Sequence, residues 1–163
     1  MADARFEDAG FSDAPLRLKI EDGEDLPVVS TLVQDAVGLA GEITWMPRRR
    51  RAVMLLNRFR WEDMADAEQM GRPFERVRAA LVFDSVISLR ANGLNPSEKD
   101  TIYAILSLAW APGEDASGML EIALAGDGAL SLSMECLDGQ LVDLTRPWEA
   151  KSNRVPDHKL DDE

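Results

Sequence analysis

"FERVRAALVFDSVISLRANG" (residues 74–93) sets Val77, Ala79, Leu81, Phe83, Ile87 and Leu89 on odd positions, against Arg76, Arg78, Asp84, Ser88 and Arg90 on even ones. A period of two over so long a run is a strand with one face on a core and the other toward water. At about 3.4 Å per residue, a straight strand of this length would outrun a small domain. The pattern therefore predicts a bend or bulge near Asp84-Ser85.

The same alternation continues on the C-terminal side. "TIYAILSLAW" (101–110) carries Ile102, Ala104, Leu106, Leu108 and Trp110 on one face. "MLEIALA" (119–125) and "ALSLSM" (129–134) flank "GDG" (126–128), whose glycines accept positive φ, a hairpin signature. Toward the N-terminus, "PLRLKI" (15–20) and "EITWMP" (42–47) read as short strands. "RAVMLLNRF" (51–59) reads as a strand with Val53, Leu55 and Phe59 inward; Ala52, Met54, Leu56, Arg58 and Arg60 take the less buried face.

Two stretches break the period. Leu26, Val29, Leu32, Val33 and Ala36 recur at helical steps. Asp22 or Asp25 caps that helix, Pro27 suits its first turn, and Gly38 and Gly41 end it. In "ECLDGQLVDLTRPW", Leu137, Leu141, Leu144 and Trp148 predict a short C-terminal helix stopped by Pro147. "EDMADAEQMGRP" (62–73) reads as a loop with a helical turn. The fold class expected is α+β: one strongly curved antiparallel sheet or partly closed barrel, with an N-terminal and a short C-terminal helix. That order of elements is compatible with a barrel of the pleckstrin-homology type. The domain is expected over 15–148, with disordered acidic tails at 1–14 and 149–163.

Charge is unevenly spread along the 163 residues, whose net charge is −12. Residues 48–90 hold ten bases against six acids, whereas residues 91–163 hold fourteen acids against five bases. Such an acidic protein is repelled by nucleic acid and by anionic membranes, so neither is an expected partner. No apolar run is long enough to span a bilayer, and the N-terminal stretch lacks the apolar region of a signal peptide. A cytoplasmic location is the expectation.

Five stretches together resemble a known family: "EDLPVVSTLVQDAV" (24–37), "RRRRAVMLLNRFRWE" (48–62), "FERVRAALVFDSV" (74–86), "LAWAPG" (108–113) and "GDGALSLSMECLDGQLVDL" (126–144). It is a small family of bacterial proteins classed as a domain of unknown function. The resemblance covers about residues 16–148 and implies a single-domain cytoplasmic bacterial protein, with no catalytic residues or cofactor to carry over.

The residues themselves offer little for catalysis. His158 is the only histidine and lies in the C-terminal tail, so no Ser-His or Cys-His arrangement is expected. Cys136, the only cysteine, reads as a buried structural thiol. No phosphate-cradling glycine motif occurs, and no ligand spacing for a metal. Trp110 and Trp148 read as core residues, and Trp61 falls on the face of Phe59. No cofactor is expected.

Six arginines within residues 48–60 stand out: Arg48, Arg49, Arg50, Arg51, Arg58 and Arg60. The first four follow Pro47 on a predicted hairpin turn. They either pair with the protein's own acids or form a recognition site, since a guanidinium binds carboxylate or phosphate in a bidentate fork. The expected function is a non-enzymatic binding or adaptor protein that meets an acidic protein partner, or a phosphorylated small molecule, through this turn and the neighbouring sheet edge. The alternative is a small-ligand carrier or enzyme with a pocket inside the curved sheet. The charge pattern also fits homo-oligomerisation, with the basic turn of one copy against the acidic surface of another.

Overall fold

A computed structural model of the chain describes residues 15–95, 97–146 and 148–149. In chain order the elements are β1 (Arg17–Ile20), α1 (Leu26–Leu32), β2 (Val37–Leu39), β3 (Ile43–Met46), β4 (Arg51–Phe59), α2 (Met64–Met70), β5 (Glu75–Phe83) and β6 (Val86–Asn92). There follow β7 (Ile102–Pro112), β8 (Gly118–Leu124), β9 (Gly128–Met134), β10 (Gly139–Asp143) and β11 (Trp148–Glu149). The strands form one open antiparallel sheet in the order β1-β10-β5-β4-β2-β7-β8-β9-β6, with β3 added on β4 and β11 on β5.

The 74–93 stretch bends where the alternation predicts. β5 ends at Phe83, β6 starts at Val86, and Ser85 between them has φ 61°. β5 runs between β4 and β10, whereas β6 pairs with β9. The β9–β10 chain turns the same corner alongside: Phe83 faces Gly139, and Val86 faces Met134. The Asp84 N–H donates to the Asp138 carbonyl at 2.8 Å, and the Glu135 N–H to the Ser85 carbonyl at 2.9 Å. Two long strands thus fold over together, and a bulge between Val86 and Ser88 adds to the curvature.

The bend brings apolar faces of the two arms together. Leu56, Leu81, Phe83, Ile105, Leu120, Ile122, Leu130, Leu132, Met134 and Leu141 are all buried in one cluster. α1 closes it by setting Leu26 and Val29 against β7. The β8–β9 hairpin turns through Gly126 and Asp127, with φ 82° and 68°. Glycine pays no steric penalty there.

Several expectations are corrected. The C-terminal helix does not form: residues 139–143 are β10, and the inward positions are Gly139, Leu141 and Asp143. Only one of those three is apolar, so leucine spacing alone gave a false helical period. Gly139 is required by packing, because a Cβ there would lie 2.6 Å from Phe83 Cδ1. Among the described residues no helix follows the strands, so the order of elements there lacks the closing helix of a pleckstrin-homology barrel. α1 ends at Leu32, and Gly38 lies inside β2 rather than closing the helix. Residues 64–70 are a full helix, α2, closed by Gly71. The inward face of β4 is Ala52, Met54, Leu56 and Arg58, opposite to expectation for Val53 and Leu55, because the even positions face the cluster; Phe59 is buried as expected. Trp148 is exposed and pairs in β11 with Arg76 of β5, and Glu149 belongs to the same strand rather than to a tail. The expected tails at 1–14 and 150–163, with His158, lie outside the described residues.

Candidate functional site

The arginine cluster divides into three environments. Arg58 is 0% exposed on the inward face of β4. Its Nε and Nη2 donate to Asp143 at 3.0 and 2.9 Å; Nη1 and Nη2 donate to Glu62 at 2.9 and 2.7 Å. Burial alone pulls the Arg58 guanidinium down, but the bonds to Glu62 and Asp143 outweigh it and hold it above its ordinary value. Burial likewise pushes Glu62 up, and Arg58 reverses this and leaves it below the usual carboxylate range. Arg60 extends the network through Glu75, Glu62 and Asp63. Arg72 then grips Asp63 with two bonds of 3.0 and 3.1 Å.

This network ties β4 to β10, to β5 and to the segment entering α2. No buried side-chain nitrogen or oxygen among the described residues lacks a partner. Arg58 is thus sealed from solvent, and Arg60 is mostly buried and paired with Glu75, with Glu62 and Asp63 within ion-pair distance, so neither is presented as openly as the turn arginines. Their carboxylate partners Asp143, Glu62, Asp63 and Glu75 were not singled out by sequence. The available signal was position: Arg58 shares its strand face with Ala52, Met54 and Leu56, so it had to be buried and paired.

Residues 47–50 form the predicted turn between β3 and β4. The turn docks on the β5–β6 corner, where the Val86 N–H donates to the Arg50 carbonyl at 2.9 Å. Arg50 pairs with Glu135 at 2.7 Å across exposed surface, and Arg51 pairs with Asp84 at 2.7 Å. The bond to Asp84 raises the Arg51 guanidinium above its ordinary value. Arg48 and Arg49 are exposed at the tip, and neither has a carboxylate within ion-pair distance among the described residues. The structure thus keeps together the four turn arginines, two held by carboxylates and two without an ion pair among the described residues.

Beyond the corner lies a feature that sequence reasoning did not single out. A shallow groove of about 400 Å³ runs over the outer face of β6, β9 and β8, lined by Ser88, Arg90, Asn92, Ser131, Ser133, Met119 and Glu121. These are the outward positions of three paired strands: Arg90 stands across from Ser131, and Ser131 from Glu121. Arg90 is exposed and makes no ion pair among the described residues. A smaller apolar cleft of about 320 Å³ lies between Leu26, Pro27, Leu108 and Trp110. Cys136, expected to be buried, is partly exposed. Among the described residues no group of three His, Cys, Asp or Glu is placed to hold a metal ion, and no helix is long and apolar enough to cross a membrane.

Residues 16–158 match the family described as "Protein of unknown function (DUF2948)". No curated protein and no solved structure matches the chain. The match covers most of the sequence, and the chain belongs to this family.

Proposed function

We propose that this DUF2948 protein is a non-enzymatic cytoplasmic binding protein that engages an acidic protein partner through Arg48, Arg49 and the sheet edge beside them. The observation that carries this reading is charge. In a chain of net charge −12, these two arginines are exposed and make no ion pair among the described residues, while Arg50, Arg51, Arg58 and Arg60 find carboxylates. Arg50 and Arg51 anchor the turn to the corner, so the free pair is presented on a fixed base. The inner face of the sheet, where the alternative places a ligand pocket, is filled by the buried apolar cluster. This favours a surface over an interior site.

The test is capture from native cell extract with the wild type and an Arg48→Ala/Arg49→Ala variant of matched melting temperature. A partner identified with the wild type, lost with the variant, and bound less tightly as salt rises supports the reading. The same partners on both proteins would sink it.

A further inference from the structure

We infer that β6 is a docking edge for an extended acidic peptide, which adds as a further strand beside the arginine turn and drops alternate side chains toward the β6–β9–β8 groove. This deepens the reading of Arg48 and Arg49 and rests on it.

The first observation is topological. β6 ends the sheet and pairs with β9 alone, so its other edge has no strand neighbour among the described residues. Backbone N–H and C=O groups on an unpaired edge are a template for another strand. Among the described residues, the cross-edge backbone bond on that side is the one from the Val86 N–H to the Arg50 carbonyl, at the very start of β6. The free edge therefore begins at the arginine turn and runs away from it through Asn92.

The second observation is the chemistry along this line. Arg48 and Arg49 mark its start, and Arg90 lies four residues further, about 14 Å at strand rise. All three are exposed and unpaired among the described residues. Between them Ile87, a large apolar side chain at the bulge, is 51% exposed. Ser88, Arg90 and Asn92 face outward into the groove together. A strand laid along β6 projects every second side chain toward that face. Carboxylates there meet the Arg90 guanidinium and the Ser88 hydroxyl. Glu121 forms the far wall, two strands away, and keeps the acidic side chains on the β6 side.

Charge also selects among occupants. Two copies of this chain pairing antiparallel through β6 would bring the Arg48–Arg49 tip of each beside Arg90 of the other. Like charges facing across a strand pair are destabilising. A basic or neutral strand gains nothing from the three arginines. An acidic one is attracted by all of them, and main-chain bonds then fix its direction.

The test uses the full chain and a synthetic peptide in which Glu alternates with Thr. Two further copies carry backbone N-methyl groups, one on every Glu and the other on every Thr. An added strand bonds through one edge only. One methylated copy should thus bind about tenfold more weakly or worse, and the other should bind as the parent does. Hydrogen exchange at Leu89 and Ala91 should slow with the parent peptide. Arg90→Ala, an exposed change that leaves the fold intact, should weaken binding by about three- to fivefold. Equal binding of both methylated copies, or no protection in β6, would overturn strand addition and reduce the surface to a charged patch. Failure of the peptide to bind at all would overturn it too, and would show that the exposed arginines only guard an edge. Either result leaves the capture experiment with Arg48→Ala/Arg49→Ala standing on its own. Conversely, unchanged peptide affinity in that variant, with β6 protected, would confirm the edge and remove the turn.

Discussion

Arg58 is the largest side chain in the fully buried set, and it is charged. A guanidinium out of water is tolerable only because four hydrogen bonds to two carboxylates surround it. Removing Arg58 costs more than the group is worth, because Asp143 then stays buried with its charge uncompensated. Arg58→Ala is therefore expected to destabilise the protein by about 3–5 kcal/mol in urea unfolding. Adding Asp143→Ala to that variant should recover part of the loss, and strictly additive losses would show the two are not coupled. Gly139 marks the opposite constraint, crowding without charge. Gly139→Ala places a Cβ 2.8 Å from the Val82 carbonyl as well as against Phe83. The expected cost is about 1–3 kcal/mol by the same measurement.

The corner at Asp84-Ser85 shows how elements here are set by short local signals inside long apolar patterns. Ser85 sits at φ 61°, which small polar residues tolerate and β-branched ones do not. Ser85→Val is expected to destabilise by about 1–2 kcal/mol, with the loss absent in Ser85→Gly; equal losses in both would place the effect in side-chain contacts instead. This bend was legible in the sequence, because the alternation was too long for one straight strand. So were β3, the β8–β9 hairpin and the existence of β4 and β7, but not the faces of the last two: β4 turns its even positions inward, and in β7 a bulge between Ile105 and Ser107 puts Tyr103 and Ile105 inward before Leu108, leaving Ile102 exposed. β10 was not legible. Its inward positions hold Gly139, chosen for closeness to Phe83, and Asp143, chosen for Arg58, and both erase the apolar alternation. β2 is three residues long and carries no period at all. The arginine turn was readable as a turn, but which arginines stay free depended on Glu135 and Asp84, which come from distant sequence.

Across the whole molecule, acidic surface and buried network respond to pH in opposite senses. The chain is strongly anionic at neutral pH, with a sequence pI near 4.5. Lowering pH toward that value relieves self-repulsion and favours the compact state. Glu62 acts the other way: Arg58 holds its carboxyl below the ordinary range in the folded protein. Its contribution is complete above the unfolded carboxylate pKa, about 4.3, and is lost as pH falls through the lower folded value. Stability is thus expected to hold or rise slightly from neutral pH to about 5, then fall at more acidic pH. Tyr103 limits the alkaline side. Burial raises its phenol, with Glu42 adding to the effect, and its hydroxyl donates to the Leu55 carbonyl at 2.9 Å. A raised phenol contributes fully below the unfolded value of about 10 and is lost as pH climbs above it. Glu62→Gln separates these effects in urea melts taken across pH. It should be clearly less stable than wild type at pH 7, and the gap should narrow once pH falls below the unfolded carboxylate value of about 4.3, closing only when Glu62 of the folded wild type is itself protonated. A constant gap across the acid range would mean that Glu62 acts through packing, and that the acid limit is set by other carboxylates of the surface.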